Sequence, residues 1–532
     1  MKGGGLAGLP ELSKLATRRD RLILPLWCYA LIGSAVSTAS SIKGLFSDEA
    51  SRVEFVEGIQ AASGAIALYG KVQGTSLGSI TTWRTLVLGA VLASVMSVLL
   101  IVRHTRAEEQ TGRQELVAAG AVDRRAPLVA ALQLVIGVNI AVGIIIGAVL
   151  PLTGLGAGGA FALGLSMAGC GIVFAGIAAV CAQLFEASRS ANAAALSLLG
   201  GFYLLRAVAD MSEGSTWLLW ASPIGWAEQV RPYDGDRWWA LAVPVVASVL
   251  LIALSLRLLD RRDFGSGVLP SRPGPVYAGR DTLGTLGLAW RMHRGSLLGW
   301  SIGILASALV FGSFVRDVGS LLDSDRVQEI MESLGGSQDM ADSYVASIVG
   351  VFGILATVFA LTVIVRARAE EAGGRIELIF SGTPSRAAWI LSHLTFAMGG
   401  AVVLLAVAAF GMGLSQGLGA HDVGGALADV FGAVAAQLPA VLLITALAAL
   451  LFAVMPRWTA AGWGVLGLSG FISLVGPQLK VSQYVLDISP FTHVPKLPGN
   501  EVVATPLVVM GALALAGLAA TLVAFRRRDL FG

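Results

Sequence analysis

The 532-residue chain is 55% hydrophobic and only 13% charged, with a mean hydropathy of +0.76 and a formal net charge of +3. Soluble domains carry about 25% charged residues, so a water-soluble enzyme or binding module is excluded and a polytopic membrane protein is implied. The small net charge says little by itself; where the charges fall is informative.

In chain order, Leu6, Leu9, Leu12 and Leu15 precede Arg18-Arg19 at helical spacing, which predicts a short amphipathic helix on the inner membrane surface. Twelve apolar stretches follow, each close to the roughly 20 residues a helix needs to cross hydrocarbon. They are 22–42, 83–102, 128–150, 160–184, 191–209, 237–257, 296–315, 344–365, 389–410, 430–454, 460–479 and 504–525. They are too long and too unalternating for barrel strands, so they are expected to be helices. The stretch after Arg21 is also too long for the apolar part of a cleavable signal. Cys28, Cys170 and Cys181 all lie in apolar stretches, as small packing residues do.

Between the second and third spans a charged segment, Arg106 to Leu116, reads R-A-E-E-Q-T-G-R-Q-E-L. It returns between the eighth and ninth as R-A-E-E-A-G-G-R-I-E-L, Arg368 to Leu378. Ten positions agree between residues 106–124 and their counterparts 262 residues on. Other landmarks recur in order. Arg18 to Trp27 resembles Arg291 to Trp300, and Ser222-Pro223 matches Ser489-Pro490. Arg261-Arg262-Asp263 closes the first half as Arg527-Arg528-Asp529 closes the chain. Leu283, Leu286 and Trp290 supply the second half with an amphipathic lead-in of its own. Its outer loop carries helical spacing over 324–334, stopped by Gly335-Gly336.

The predicted plan is therefore an all-α membrane protein of twelve transmembrane helices, built as two parallel six-helix repeats. The first domain is 1–265, with its charged helix near 106–120, and the second is 284–532, with its charged helix near 368–382. A linker at 266–283 contains Pro270, Pro273 and Pro275. With a cytoplasmic N-terminus, 26 of the 37 Lys and Arg residues fall on the inner side, so both termini are expected in the cytoplasm.

Within each charged segment, Glu109 precedes Arg113 and Glu371 precedes Arg375 by four residues, the spacing of a helical ion pair. Gly120 and Gly382 are placed to end that helix, and Asp123 and Ser385 to cap the next. A solvated loop obeying the positive-inside rule would explain the arginines but not three glutamates at identical spacing. A protein-docking surface explains both. Inside the spans, Asn139, Arg206, Asp210, Asp429 and Gln437 are substrate-path candidates, with structural pairing as the alternative. Arg206, Asp210 and Asp429 are near enough to the outer boundary to snorkel. The histidines at 104, 293, 393, 421 and 493 show no metal-ligand spacing. His104 and His293 are expected at the interface.

Six spans per half, the amphipathic lead-in and the E-E-x-x-G-R-x-E-L segment resemble the ABC-2 type (type V) permease domains of ABC exporters. Fusion of both halves is similar to the actinobacterial tetronasin-type polyketide-antibiotic and multidrug exporter permeases. The resemblance implies that Glu108, Glu109, Arg113 and Glu115 in one half form a coupling helix, as do Glu370, Glu371, Arg375 and Glu377 in the other. Each would rest on an ATPase subunit. Gln110-Thr111 becomes Ala372-Gly373, so the two docking surfaces are not expected to be equivalent. The chain contains no G-x-x-x-x-G-K-[ST] loop, so no cofactor is expected in it. ATP and Mg would belong to two copies of a separate nucleotide-binding subunit. The implied activity is export of antibiotics, drugs or lipids. A proton-coupled twelve-helix facilitator and a polytopic membrane enzyme or assembly factor remain the alternatives.

Overall fold

The computed structural model describes residues 6–46, 48–61, 63–118, 120, 122–211, 216–269, 277, 279, 284–321, 338–475, 482–499 and 502–528. The second outer loop at 324–336 and most of the linker expected at 266–283 lie outside these residues. Among the described residues the structure is helical, with no strand. The chain divides into two compact units, residues 1–273 and 274–532.

In the first unit, α1 (Leu9–Arg19) leads into α2 (Ile23–Leu45), and α3 (Glu49–Ala61) and α4 (Ser63–Tyr69) fill the loop that follows. The second span, α5 (Leu77–His104), starts earlier than hydropathy suggests because the Ser76 hydroxyl accepts from the Ser79 N–H and caps it. Short helices α6 (Arg106–Gln110) and α7 (Arg113–Ala118) carry the charged segment. Then come α8 (Ala126–Val149), α9 (Ala157–Leu184), α10 (Ser188–Met211), the short α11 (Pro223–Gln229) and α12 (Ala242–Arg261). Helices α8 and α9 touch backbone to backbone: a Cβ on Gly164 would lie 2.1 Å from the Gly143 carbonyl oxygen, so only glycine fits that crossing. Phe174, Met96 and Ile101 are among the fully buried side chains of this unit's core.

The second unit runs α13 (Thr285–Leu321), α14 (Gln338–Ala372), α15 (Arg375–Phe380), α16 (Arg386–Ala420), α17 (Val423–Val454), α18 (Ala461–Val475), α19 (Gln483–Leu486) and α20 (Ala504–Arg527). Phe352, Phe359 and Phe452 anchor its core. Here the lead-in is not a separate helix, because α13 runs unbroken from lead-in into span. In the first unit Pro25 stands three residues into α2. It has no N–H to give the Arg21 carbonyl, and its ring would clash there, so the helix restarts. Leu298 occupies the same offset in the second half.

Eleven helices among the described residues are long and apolar enough to cross a membrane, so the chain is a multi-pass membrane protein. The stretch expected at 460–479 is represented by the 15-residue α18. At 1.5 Å per residue, its described length falls short of the roughly 30 Å hydrocarbon core.

Candidate functional site

The charged segments are bent rather than continuous. Gly112 (φ 71°) and Gly374 (φ 68°) take left-handed conformations and end α6 and α14, so the expected stops at Gly120 and Gly382 lie one helix too late. The bend also corrects the expected ion pairs. Arg113 and Arg375 each begin the helix beyond it, turned away from Glu109 and Glu371. Arg113 faces Glu108 at 3.8 Å, and Arg375 Nε donates to Glu370 at 2.6 Å. Both segments shift the pairing by one glutamate in the same direction.

Glu109 and Glu371 turn inward instead. The Glu109 side chain is 3% exposed. Arg262 donates from Nη1 and Nη2 to its two oxygens at 2.6 and 2.7 Å, Arg106 Nη1 donates at 2.8 Å, and the Gly265 N–H at 2.7 Å. Arg106 also donates to the Phe185 carbonyl at the end of α9, at 2.5 Å. Arg124, just before α8, donates to the Arg262 carbonyl. In the second unit Arg528 donates to Glu371, with Arg368 beside it at 3.6 Å. Arg528 Nη1 reaches the Phe452 carbonyl of α17 at 2.6 Å, Arg368 Nε the Pro456 carbonyl just beyond it at 3.2 Å, and Arg386 Nη1 the Arg528 carbonyl at 2.8 Å. In each unit, one inward glutamate thus ties the charged segment to the helices that correspond to spans two, three, four and six. Arg262 and Arg528 are the second arginines of the two closing R-R-D motifs. Sequence reading marked those motifs as landmarks and missed this role.

The remaining charges of the segments are accessible. Arg113, Glu115, Arg375 and Glu377 are exposed, and Glu108 and Glu370 are partly covered, with 19% and 17% of their side chains exposed. Arg19 also pairs with Glu108. The departure at Gln110-Thr111 has a structural counterpart, since Gln110 Oε1 accepts from the Ser188 N–H at 3.0 Å and Ala372 has no side chain to do so.

The intramembrane candidates do not form one constellation. Arg206 and Asp210 pair as expected, but Arg206 is fully buried rather than snorkelling. Its Nη1 donates to Asp210 at 3.2 Å and to Glu228 of α11 at 3.1 Å, and its Nη2 to the Ala67 and Leu68 carbonyls at 2.9 and 3.1 Å. The Tyr203 ring lies under the guanidinium at 4.9 Å. Gly70 (φ 88°) lets α4 close on this cluster: a Cβ there would sit 2.6 Å from Glu228 Oε1. Burial pushes the Glu228 carboxyl up to about 8 against the pull of Arg206. Glu228 escaped the sequence reading because a glutamate between spans is ordinary.

Asn139 is buried, with its Nδ2 donating to Ser97 Oγ at 2.9 Å and to the Val135 carbonyl at 2.8 Å. Gln437 is buried on α17, with no hydrogen-bond partner for its Oε1 among the described residues, whereas Asp429 two turns earlier is exposed. Each histidine expected at the interface meets a polar partner: the His104 side chain, 7% exposed, lies against Asp20 at 2.5 Å, and His293 is buried against His393 at 3.2 Å. His493 and Trp226 play the same local part, each bonding through a ring nitrogen to the carbonyl six residues earlier. Ser222 and Ser489 likewise each donate to the carbonyl twenty residues back, both at 2.9 Å.

A family model described as the multidrug efflux system permease Rv1217c, C-terminal domain, matches residues 10–258 and 283–526. The multidrug efflux system permease protein Rv1217c of Mycobacterium tuberculosis (strain ATCC 25618 / H37Rv) is 38% identical over 532 residues, covering 99% of this chain and 96% of that protein. The chain belongs to the Rv1217c family of multidrug efflux permeases. Within this family of permeases, the matched segments embrace both charged helices and both inward glutamates but neither R-R-D closing motif. Arg262 lies just past the first matched segment, as Arg528 lies just past the second.

Proposed function

We propose that the chain is the transmembrane subunit of an ATP-driven exporter of hydrophobic or amphipathic compounds, made of two six-helix halves with both termini cytoplasmic. It would be energised by two copies of a separate nucleotide-binding subunit that hold the ATP and Mg. The observation that carries this reading is the paired clamp. In each unit an accessible charged segment is fastened, through an inward glutamate and its arginine partners, to four membrane helices. A displacement applied to that segment moves those spans as one piece, as force transfer from a separate motor requires. Membership in a family of multidrug efflux permeases supports the cargo class. In this reading Arg113, Glu115, Arg375 and Glu377, with Glu108 and Glu370, meet the partner, while Glu109 and Glu371 position them.

The reading is tested by copurifying the chain with a Walker-motif ATPase encoded beside its gene. Reversing the exposed charges (Arg113→Glu and Glu115→Lys, with Arg375→Glu and Glu377→Lys) should leave the permease folded while complex formation and drug-stimulated ATP hydrolysis are lost. Unchanged assembly and hydrolysis would refute docking at these helices. A proton-coupled facilitator is less favoured, because Glu228 is locked to Arg206 beside a cavity of about 20 Å³, room for little more than one water.

A further inference from the structure

Helix α1 lies on α8, with Ser13 Oγ donating to Gln133 at 3.1 Å, and between them and the charged segment is a cavity of about 190 Å³. Leu12 and Leu15 of α1 and Ala130 and Ala131 of α8 give it apolar walls, and Arg19 and Arg113 give it a charged one. Two guanidiniums face a single carboxylate there, Glu108, so one positive charge is left over. Lys14, Arg18 and Arg21, exposed on or just after α1, add to it.

The second half shows that the space is not a by-product of the plan. At the charged-segment offset, Pro127, Ala130 and Ala131 correspond to Trp389, Ser392 and His393. Trp389 is buried, edge-on to His393 at 4.6 Å and stacked on Phe525 at 5.6 Å, and His393 meets His293. Aromatic side chains fill what small ones leave open in the first half. By the lead-in offset, Met292 stands where Arg19 does.

We propose that this cavity binds the headgroup end of an anionic phospholipid from the adjoining leaflet, one per chain. The proposal rests on the placement of α1 along the inner membrane surface. Apolar walls beside uncompensated arginine charge are complementary to a glycerol–acyl junction beside a phosphate, and basic pockets between membrane helices take such headgroups. The volume is below the roughly 300–1,000 Å³ of a site that encloses a drug-sized molecule. It therefore suits one end of an amphiphile whose chains stay in the leaflet, where Leu15 and Leu22 are 59% and 79% exposed.

The test uses the full-length permease alone, titrated with phosphatidylglycerol or with phosphatidylcholine of the same chains, with bound lipids counted by native mass spectrometry. One phosphatidylglycerol should bind more tightly than any phosphatidylcholine. Arg19→Gln should weaken it about fivefold, Ala131→Phe should fill the cavity and remove it, and Lys14→Gln, outside the cavity, should weaken it less than Arg19→Gln does. Equal retention of the two lipids, or wild-type binding in Arg19→Gln, overturns the proposal. Displacement of the lipid by equimolar inorganic phosphate would reduce the site to a bare anion site and also overturn it. Should Ala131→Phe not fold, as judged by its melting temperature, Arg19→Gln decides alone. Because no ATPase is present, these outcomes are independent of whether the docking helices assemble with one.

Discussion

Glu109 does at the residue scale what no single position in the sequence announces. Its partner Arg262 is 153 residues away, and neither residue is unusual in its own neighbourhood. A local rule, the four-residue spacing to Arg113, predicted a different bond, and the left-handed turn at Gly112 removed it. Because the carboxylate is buried and fully hydrogen-bonded, Arg262→Met would leave it without its main counter-charge. The expected loss is about 3–5 kcal/mol, read as a lower unfolding midpoint in detergent. The double variant Glu109→Met, Arg262→Met should recover much of it, since no unpaired charge remains. Glu228 makes a prediction of opposite electrostatic sign. Its folded value of about 8 exceeds the ordinary 4.5, so the folded chain holds a proton that the unfolded chain releases. Stability from this group is complete below about pH 4.5, declines as pH rises to about 8, and is flat above. Melting temperatures measured across that window should fall in the wild type and lose this component in Glu228→Gln.

At the level of elements, hydropathy made the membrane helices legible because each must keep lipid on at least one side for some 20 residues. The helix boundaries were less legible because they depend on caps and breaks. Ser76 extends α5 toward its N-terminus, Pro25 severs α1 from α2, and Gly112 and Gly374 divide the charged segments. The docking candidates were recognisable as a set, since the chain repeats them, but the set concealed a division of labour. Its second glutamates face inward while the arginines and third glutamates face out. The Gly112 bend separates the two groups and can be tested on its own. A Cβ there meets nothing within 4 Å, so any penalty comes from the backbone conformation. Gly112→Asn should cost little, because asparagine tolerates left-handed geometry. Gly112→Val should destabilise by at least about 1–2 kcal/mol and weaken retention of the ATPase in copurification.

For the whole molecule, the distribution of basic residues predicts an orientation that is directly measurable. A protease site inserted between residues 266 and 283 should be cut in inverted membrane vesicles and protected in right-side-out ones. Cleavage only from the opposite face would place the charged helices away from any cytoplasmic motor and remove the basis of the exporter reading. The likeness of the halves was visible in the sequence at the landmarks, because each landmark proves to be a contact point: the inward glutamates, the closing arginines, and Ser222 and Ser489. Their differences, such as Trp389 and His393 in place of Pro127 and Ala131, carried no meaning until packing showed which space they occupy.

The interruption at Pro25 has a mechanical corollary. A helix lacking one rung of its ladder flexes at lower cost than an intact rod, so α1 can tilt about residues 20–22 while the lead-in of α13 can only swing together with its span. Identical pushes on the two halves therefore meet unequal compliance. Whatever crowds or stiffens that joint, a bulky side chain or a small molecule wedged beside it, will restrain the lead-in of the first half and leave that of the second unaffected.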